Sequence, residues 1–194
     1  MAVISKHHVP ELTGEELYRR FLDGDKDAFQ KLVDLYGHEL SLFLHGIVHD
    51  RHEAKHLMIE TFAQLAVSGG RFSEKASLKT YLFTIGKNLA AKYVKRRGRE
   101  AHISYEEVVG TLLDKTETPE QSMEKEENRR LIGEAIRTLK DDYRVVIALL
   151  YFDDMSYLEA GRIMKKSVRQ IGDLAYRAKA SLKKKLKDEG LTHV

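Results

Sequence analysis

Residues 156–182 read SYLEAGRIMKKSVRQIGDLAYRAKASL. Two helix-start signatures stand eleven residues apart in this stretch: Ser156 with Glu159, and Ser167 with Gln170. In each, the hydroxyl can accept an amide of the first turn while the later side chain reaches back to the serine's own amide. The spacing predicts a short helix over 157–164, a tight turn, and a longer helix over 168–187. Two helices joined this way form a helix-turn-helix, whose second member lies in the DNA major groove with its N-terminal residues near base edges. On that helix Ile171, Ala175, Ala178, Leu182 and Leu186 fall on one inward face. Ser167, Arg169, Gln170, Asp173, Tyr176, Arg177 and Lys179 are left to meet a duplex. A basic helical hairpin that packs against protein has the same pattern.

Working outward, charge is segregated along the chain. Residues 71–99 carry nine Lys and Arg against one acid, 100–142 twelve acids against six bases, and 162–187 ten bases against one acid. The net charge of +3 conceals this alternation. Two basic blocks on either side of an acidic one suggest contact with a polyanion. Solvated helix faces would also produce it.

The rest of the chain reads as helix. Phe29, Leu32, Val33, Tyr36, Leu40, Phe43 and Ile47 form one stripe at a 3.6-residue period. A shorter helix precedes it over 15–22, another follows over 52–67, and a fourth runs over about 76–97. Further helices are expected over 123–139 and 142–152. Between 98 and 122 no period is sustained and Pro119 interrupts, which marks a linker. The expected architecture is all-α: a domain over 1–98, an acidic linker over 99–122, and a second domain over 123–194.

Composition narrows the function. There is no cysteine, which excludes disulfides, thiolate metal sites and cysteine nucleophiles. No run of eighteen apolar residues occurs, and Met1–Pro10 lacks an apolar signal core, so the expected location is cytoplasmic. No phosphate loop or Ser/His/Asp arrangement is recognisable, so enzyme activity is not expected, nor is a cofactor. His45/His49 and His52/His56 have metal-compatible spacing, with His38 nearby. Without cysteine or a carboxylate set they read as surface or interface histidines, and no metal is expected. In the first basic block, Arg71 and Phe72 in a loop combine a cation with a ring, which suits unstacked bases.

Several stretches, taken in order, are similar to one family. Asp27-Ala-Phe, Leu35-Tyr36, Glu60-Thr-Phe and Tyr81-Leu-Phe-Thr-Ile-Gly-Lys-Asn-Leu-Ala resemble the N-terminal domain of extracytoplasmic-function sigma factors of the sigma-70 family. Leu139-Lys-Asp-Asp-Tyr-Arg-Val-Val-Ile, Tyr151-Phe-Asp-Asp-Met-Ser-Tyr-Leu-Glu-Ala and Tyr176-Arg-Ala-Lys resemble their C-terminal domain. The resemblance implies a region 2 helical bundle that binds core RNA polymerase and opens the −10 element. It also implies a region 4 helix-turn-helix that reads the −35 element. The implied partners are core polymerase (its β' clamp helices and β flap), promoter DNA, and an anti-sigma factor or other regulatory protein. The implied polymerase-binding residues are Glu53, His56, Leu57, Glu60, Thr61 and Gln64. Those implied for the opened −10 strand are Arg71, Phe72, Lys79, Asn88, Lys92 and Arg96.

The chain departs from the family pattern at three places. His56 stands where an acid is usual. Lys165 replaces the glycine of the helix-turn-helix turn, at a backbone position where a non-glycine residue costs about 1 kcal/mol. Gly172, Asp173 and Leu174 replace a basic-Ser-basic run on the reading helix. These departures leave a second reading open: a sigma-like adaptor with weakened −35 recognition, directed by a protein partner. A dimeric helix-turn-helix repressor is a third, disfavoured by the match of the first domain.

Overall fold

The computed structural model describes residues 12–97 and 122–188. The expected linker, 99–122, lies outside the described residues but for its last one. Eight helices make up the described chain: α1 (Gly14–Leu22), α2 (Lys26–Val48), α3 (Arg51–Val67), α4 (Leu78–Arg97), α5 (Ser122–Arg137), α6 (Asp141–Ile147), α7 (Tyr157–Met164) and α8 (Val168–Asp188).

Local chemistry explains where most of them begin. Thr13 and Glu16 form a reciprocal capping box at α1. The Asp25 carboxylate accepts from the amides of Asp27 and Ala28 at α2, and Asp50 accepts from those of His52 and Glu53 at α3. α2 stops because His49 adopts a left-handed conformation, φ 57°, which turns the chain straight into the Asp50 cap. At α4, Ser77 Oγ accepts from the Thr80 amide, and the Glu15 carboxylate of α1 accepts from the Leu78 amide at 2.7 Å.

α1–α4 form one bundle, with Leu32, Leu40, Leu44, Leu65, Leu78, Leu82 and Phe83 fully buried. α4 approaches α2 and α3 closely at Gly86, where a Cβ would lie 3.1 Å from Leu40, 3.2 Å from Leu44 and 3.3 Å from Thr61. α6–α8, with the end of α5, form a smaller bundle around Val146, Leu149, Ile163 and Ile171.

One expectation is corrected. The helix expected over 142–152 is α only to Ile147; Ala148–Phe152 widen into a π turn, closed by the Asp153 amide on the Ala148 carbonyl at 3.0 Å. The extra residue per turn keeps Leu149 and Met155 buried while Tyr151 and Phe152 reach solvent. The two bundles also meet. α4 packs on α7 and α2 on α6, and one apolar core runs through both. The smaller bundle thus covers part of its apolar surface with the flank of the larger.

Candidate nucleic-acid interface

The helix-turn-helix is built as its caps predict. The Ser167 amide donates to Gln170 Oε1 at 2.8 Å, and the Gln170 amide donates to Ser167 Oγ at 3.2 Å. Lys165 is left-handed, φ 55° and ψ 45°, so the turn carries the cost of a non-glycine residue there. Its amide and that of Lys166 both donate to the Gly161 carbonyl. Gly161 admits this turn, because a Cβ there would stand 2.7 Å from the Lys166 carbonyl oxygen.

On α8, Ile171, Ala175, Ala178 and Leu186 are buried. Ser167, Arg169, Gln170, Asp173, Tyr176, Arg177 and Lys179 are all exposed, Tyr176 at 78%. The structure thus presents six of the candidate −35 residues on α8 and Ser167 at its cap, though not all are free. Gln170 Oε1 is held by the cap, leaving its amide group to donate, so bidentate pairing with adenine requires the cap to open. Arg177 Nε donates to the Asp173 carbonyl at 3.2 Å, and Lys179 Nζ lies 4.7 Å from the Tyr151 ring. Two residues beside the reading helix were not anticipated. Tyr151 steers Lys179, and Tyr157 lies against Gly172, 3.9 Å from where a Cβ would stand. Their signal is weak, since a tyrosine at the edge of an amphipathic stripe reads equally as core.

In the first bundle the candidate −10 residues separate. Arg71 is exposed in the turn after α3. Asn88, Lys92 and Arg96 are exposed at four-residue intervals, along one face of α4. Phe72 is not a free stacking platform: it packs edge-on to Tyr18 at 5.9 Å and against Tyr81 at 5.4 Å, and it is half-buried. Lys79 is not free either. Its Nζ pairs with Glu39 at 2.7 Å and donates to the Asp153 carbonyl at 2.9 Å.

The polymerase-binding set also divides. Leu57 is buried, and Thr61 is fully buried with its hydroxyl on the Leu57 carbonyl at 2.7 Å. Both belong to the core, on the inner face with Ala54 and Leu65. His56, Glu60 and Gln64 are exposed, Gln64 reaching Glu60 at 3.4 Å, while Glu53 is half-buried. The face they share also exposes Ile59 and Val67, which the sequence reading passed over. A helical wheel anchored on Leu57 places Ile59 on the opposite side, so the signal was there.

His45 and His49 lie where α2 meets the second bundle. Burial above all holds both imidazoles below their ordinary value, helped at His45 by His49, Arg51 and Arg137, and at His49 by Arg144 and Arg137. Among the described residues no three His, Asp or Glu converge as a metal site, and no helix is long and apolar enough to cross a membrane.

Comparison with known proteins bears on both bundles. Residues 32–100 match the model for sigma-70 region 2, and 129–182 that for sigma-70, region 4. The chain is 28% identical over 173 residues to the ECF RNA polymerase sigma factor SigW of Bacillus subtilis, covering 85% of this chain and 92% of that protein. It is 28% identical to the ECF RNA polymerase sigma-E factor of Haemophilus influenzae, covering 91% and 96%. Among solved structures, the sigma factor RpoE in complex with the anti-sigma factor NepR from Bartonella quintana shares the fold at a TM-score of 0.67 and 23% identity, over 82% of this chain and 96% of that one. CnrH in complex with the cytosolic domain of CnrY does so at 0.64 and 22%, over 90% and 96%. With regions 2 and 4 in order along one chain and relatives aligned nearly end to end, the chain belongs to the extracytoplasmic-function branch of the sigma-70 family.

Proposed function

We propose that this chain is an alternative sigma factor: it binds core RNA polymerase and directs promoter recognition and transcription initiation. The observation that carries the reading is the presence of both regions in one chain of the same extent as its relatives. It contributes recognition and positioning, and the chemistry of RNA synthesis belongs to the polymerase. Its place of action is the cytoplasm, and an anti-sigma factor or another regulatory protein is a partner.

Three surfaces divide the work. The exposed side of α3, with His56, Ile59, Glu60 and Gln64, meets the polymerase, with Leu57 and Thr61 shaping it from beneath. Arg71, Asn88, Lys92 and Arg96 receive the opened −10 strand. On α8, Arg169, Gln170, Asp173 and Tyr176 face base edges of the −35 duplex, while Arg177 and Lys179 hold phosphate. Run-off transcription with purified core polymerase on a genomic fragment library tests this. Promoter-specific transcripts that require the chain are expected, and their absence would refute the assignment.

A second reading rests on α8. Gly172 and Leu174 supply no donor, Asp173 repels phosphate, and the Gln170 carbonyl is occupied. A helix so equipped suits a sigma factor whose second region is directed by a protein partner. On a randomised −35 library, Asp173→Ala relaxes discrimination at one position if the helix reads DNA unaided. Base preference unchanged in both Asp173→Ala and Gln170→Ala favours the partner-directed form.

A further inference from the structure

Lys179 belongs to the reading helix but is placed from outside it. Its Nζ lies 4.7 Å from the centroid of the Tyr151 ring, within the distance at which a ring face attracts a cation. Among the described residues no carboxylate pairs with it. Arg177, by contrast, bonds to its own helix, its Nε donating to the Asp173 carbonyl. Tyr151 reaches this place through the π turn over Ala148–Phe152. The widened turn keeps Leu149 fully buried and leaves Tyr151 44% exposed beside α8. Helices that widen in this way often do so at functional sites.

The contact also has a direction. Successive residues of an α-helix stand about 100° apart, so Arg177 and Lys179 point about 200° from one another around α8. Arg177 shares its side with Gln170, and Lys179 shares the other with Gly172 and Tyr176. Two tyrosines flank that second side. Tyr151 stands at Lys179, and Tyr157 at Gly172, where a Cβ would lie 3.9 Å from its ring. A helix seated in a major groove about 12 Å wide has a wall of phosphates on either hand. Cations on opposite sides of such a helix therefore meet different phosphates.

Restraint matters for a lysine. Its ammonium is a point charge on a flexible four-carbon stem, and ordering such a stem on binding costs affinity. A ring that already restrains the stem removes part of that cost. It takes no hydrogen-bond acceptor's place, so the three ammonium donors remain for phosphate oxygens.

We propose that Tyr151 is a positioning residue for duplex binding: its ring, brought to the surface by the π turn, holds Lys179 on the side of α8 away from Arg177, as a second and independent grip on phosphate. The inference rests on the sigma-factor reading for the presence of a duplex on α8, but the contact itself is measured without DNA.

The test uses the full-length chain. In the free protein with carbon-labelled lysine, the ε-methylene signal of Lys179, identified by its loss in Lys179→Ala, should be displaced upfield by the ring current of Tyr151. In Tyr151→Leu it should return to the range of the other lysines. Binding is then measured on a duplex of arbitrary sequence, because phosphate contacts do not depend on sequence. Tyr151→Leu removes the ring but keeps the charge, so affinity should fall about fivefold while the slope of log K against log salt holds. Lys179→Ala should weaken binding at least as much and reduce that slope by about 1. The double variant Tyr151→Leu/Lys179→Ala should bind no more weakly than Lys179→Ala alone, whereas the losses from Tyr151→Leu and Arg177→Ala should add. Tyr151→Phe, which keeps the ring, should match the parent. A merely structural Tyr151 would act through the pose of the whole helix, and its loss would add to that of Lys179→Ala. Should Tyr151→Leu lose helicity, Tyr151→Met takes its place with the same expected results. An undisplaced Lys179 signal in the parent overturns the contact. Unchanged affinity in Tyr151→Leu, additive losses with Lys179→Ala, or a parent chain that binds no duplex overturns the positioning role. An intact cycle in a chain that yields no run-off transcripts with core polymerase would instead count against the sigma-factor reading alone.

Discussion

Asp153 is the most displaced acid in the described chain. Burial pushes its carboxyl up to about 7, against an ordinary 3.8, with Lys79 opposing and the carboxylates of Glu39 and Asp154 adding to the rise. Between those two values the folded chain holds a proton that the unfolded chain has released, so stability falls as pH rises through this range and stays lowered above it. Asp153→Asn removes the penalty: its melting temperature should exceed the parent's at pH 8 and lose that advantage near pH 4, measured by scanning calorimetry. His45 and His49 act in the opposite sense. Their lowered values mean that the folded chain resists protonation, so their contribution is present above pH 6.5 and is lost as pH falls below it. A second residue-scale contrast lies on α3. Leu57→Ala should cost about 2–5 kcal/mol of stability, because it empties a core position. Ile59→Asp should leave stability within about 0.5 kcal/mol, since Ile59 is 55% exposed. If the α3 face is the polymerase contact, Ile59→Asp nonetheless abolishes co-elution with core enzyme, and retained co-elution would move that contact elsewhere.

Among the elements, α7, its turn and α8 were the most legible in sequence, and the reason is local. Ser156 with Glu159 and Ser167 with Gln170 are pairs three residues apart whose bonds stay within one turn, so their chemistry is visible without the fold. The contacts that Phe72 makes with Tyr18, and Lys79 with Asp153, were not legible because these partners are more than fifty residues away along the chain. No window of sequence contains both. The α-helix expected to continue through Phe152 failed for a related reason: the π turn answers to burial of Leu149 and Met155, a tertiary demand. The turn of the helix-turn-helix makes a prediction of its own. Gly161→Ala sets a methyl 2.7 Å from the Lys166 carbonyl, so backbone must move and α8 must tilt against α7. Duplex affinity should fall with helicity retained, whereas Lys165→Gly relieves about 1 kcal/mol of strain and leaves affinity unchanged. On the reading helix, Arg177→Ala should weaken all duplexes alike and reduce the slope of log K against log salt by about 1. A sequence-dependent loss would instead place Arg177 on base edges.

For the whole molecule, the shared core predicts cooperative unfolding. One calorimetric transition is expected for the parent chain, because the buried apolar cluster is continuous through both bundles. Ser77→Asp, which sets a second carboxylate against Glu159 of the second bundle where the Ser77 hydroxyl lies 2.9 Å from it, should split it in two, with the second bundle melting first. Two transitions already in the parent would mean that the bundles are energetically separate.

The way Glu159 is satisfied carries a consequence for ionic strength. Its carboxylate is met by hydroxyls and by the amide of a helix start rather than by mobile cations, and these hydrogen bonds hold it ionised below its ordinary range although burial opposes this. Contacts of this kind are screened little by salt, whereas phosphate contacts weaken steeply as counterions compete. Concentrating the electrolyte should therefore weaken the nucleic-acid contacts first and leave the contact of Glu159 with Ser77 and Thr80 in place.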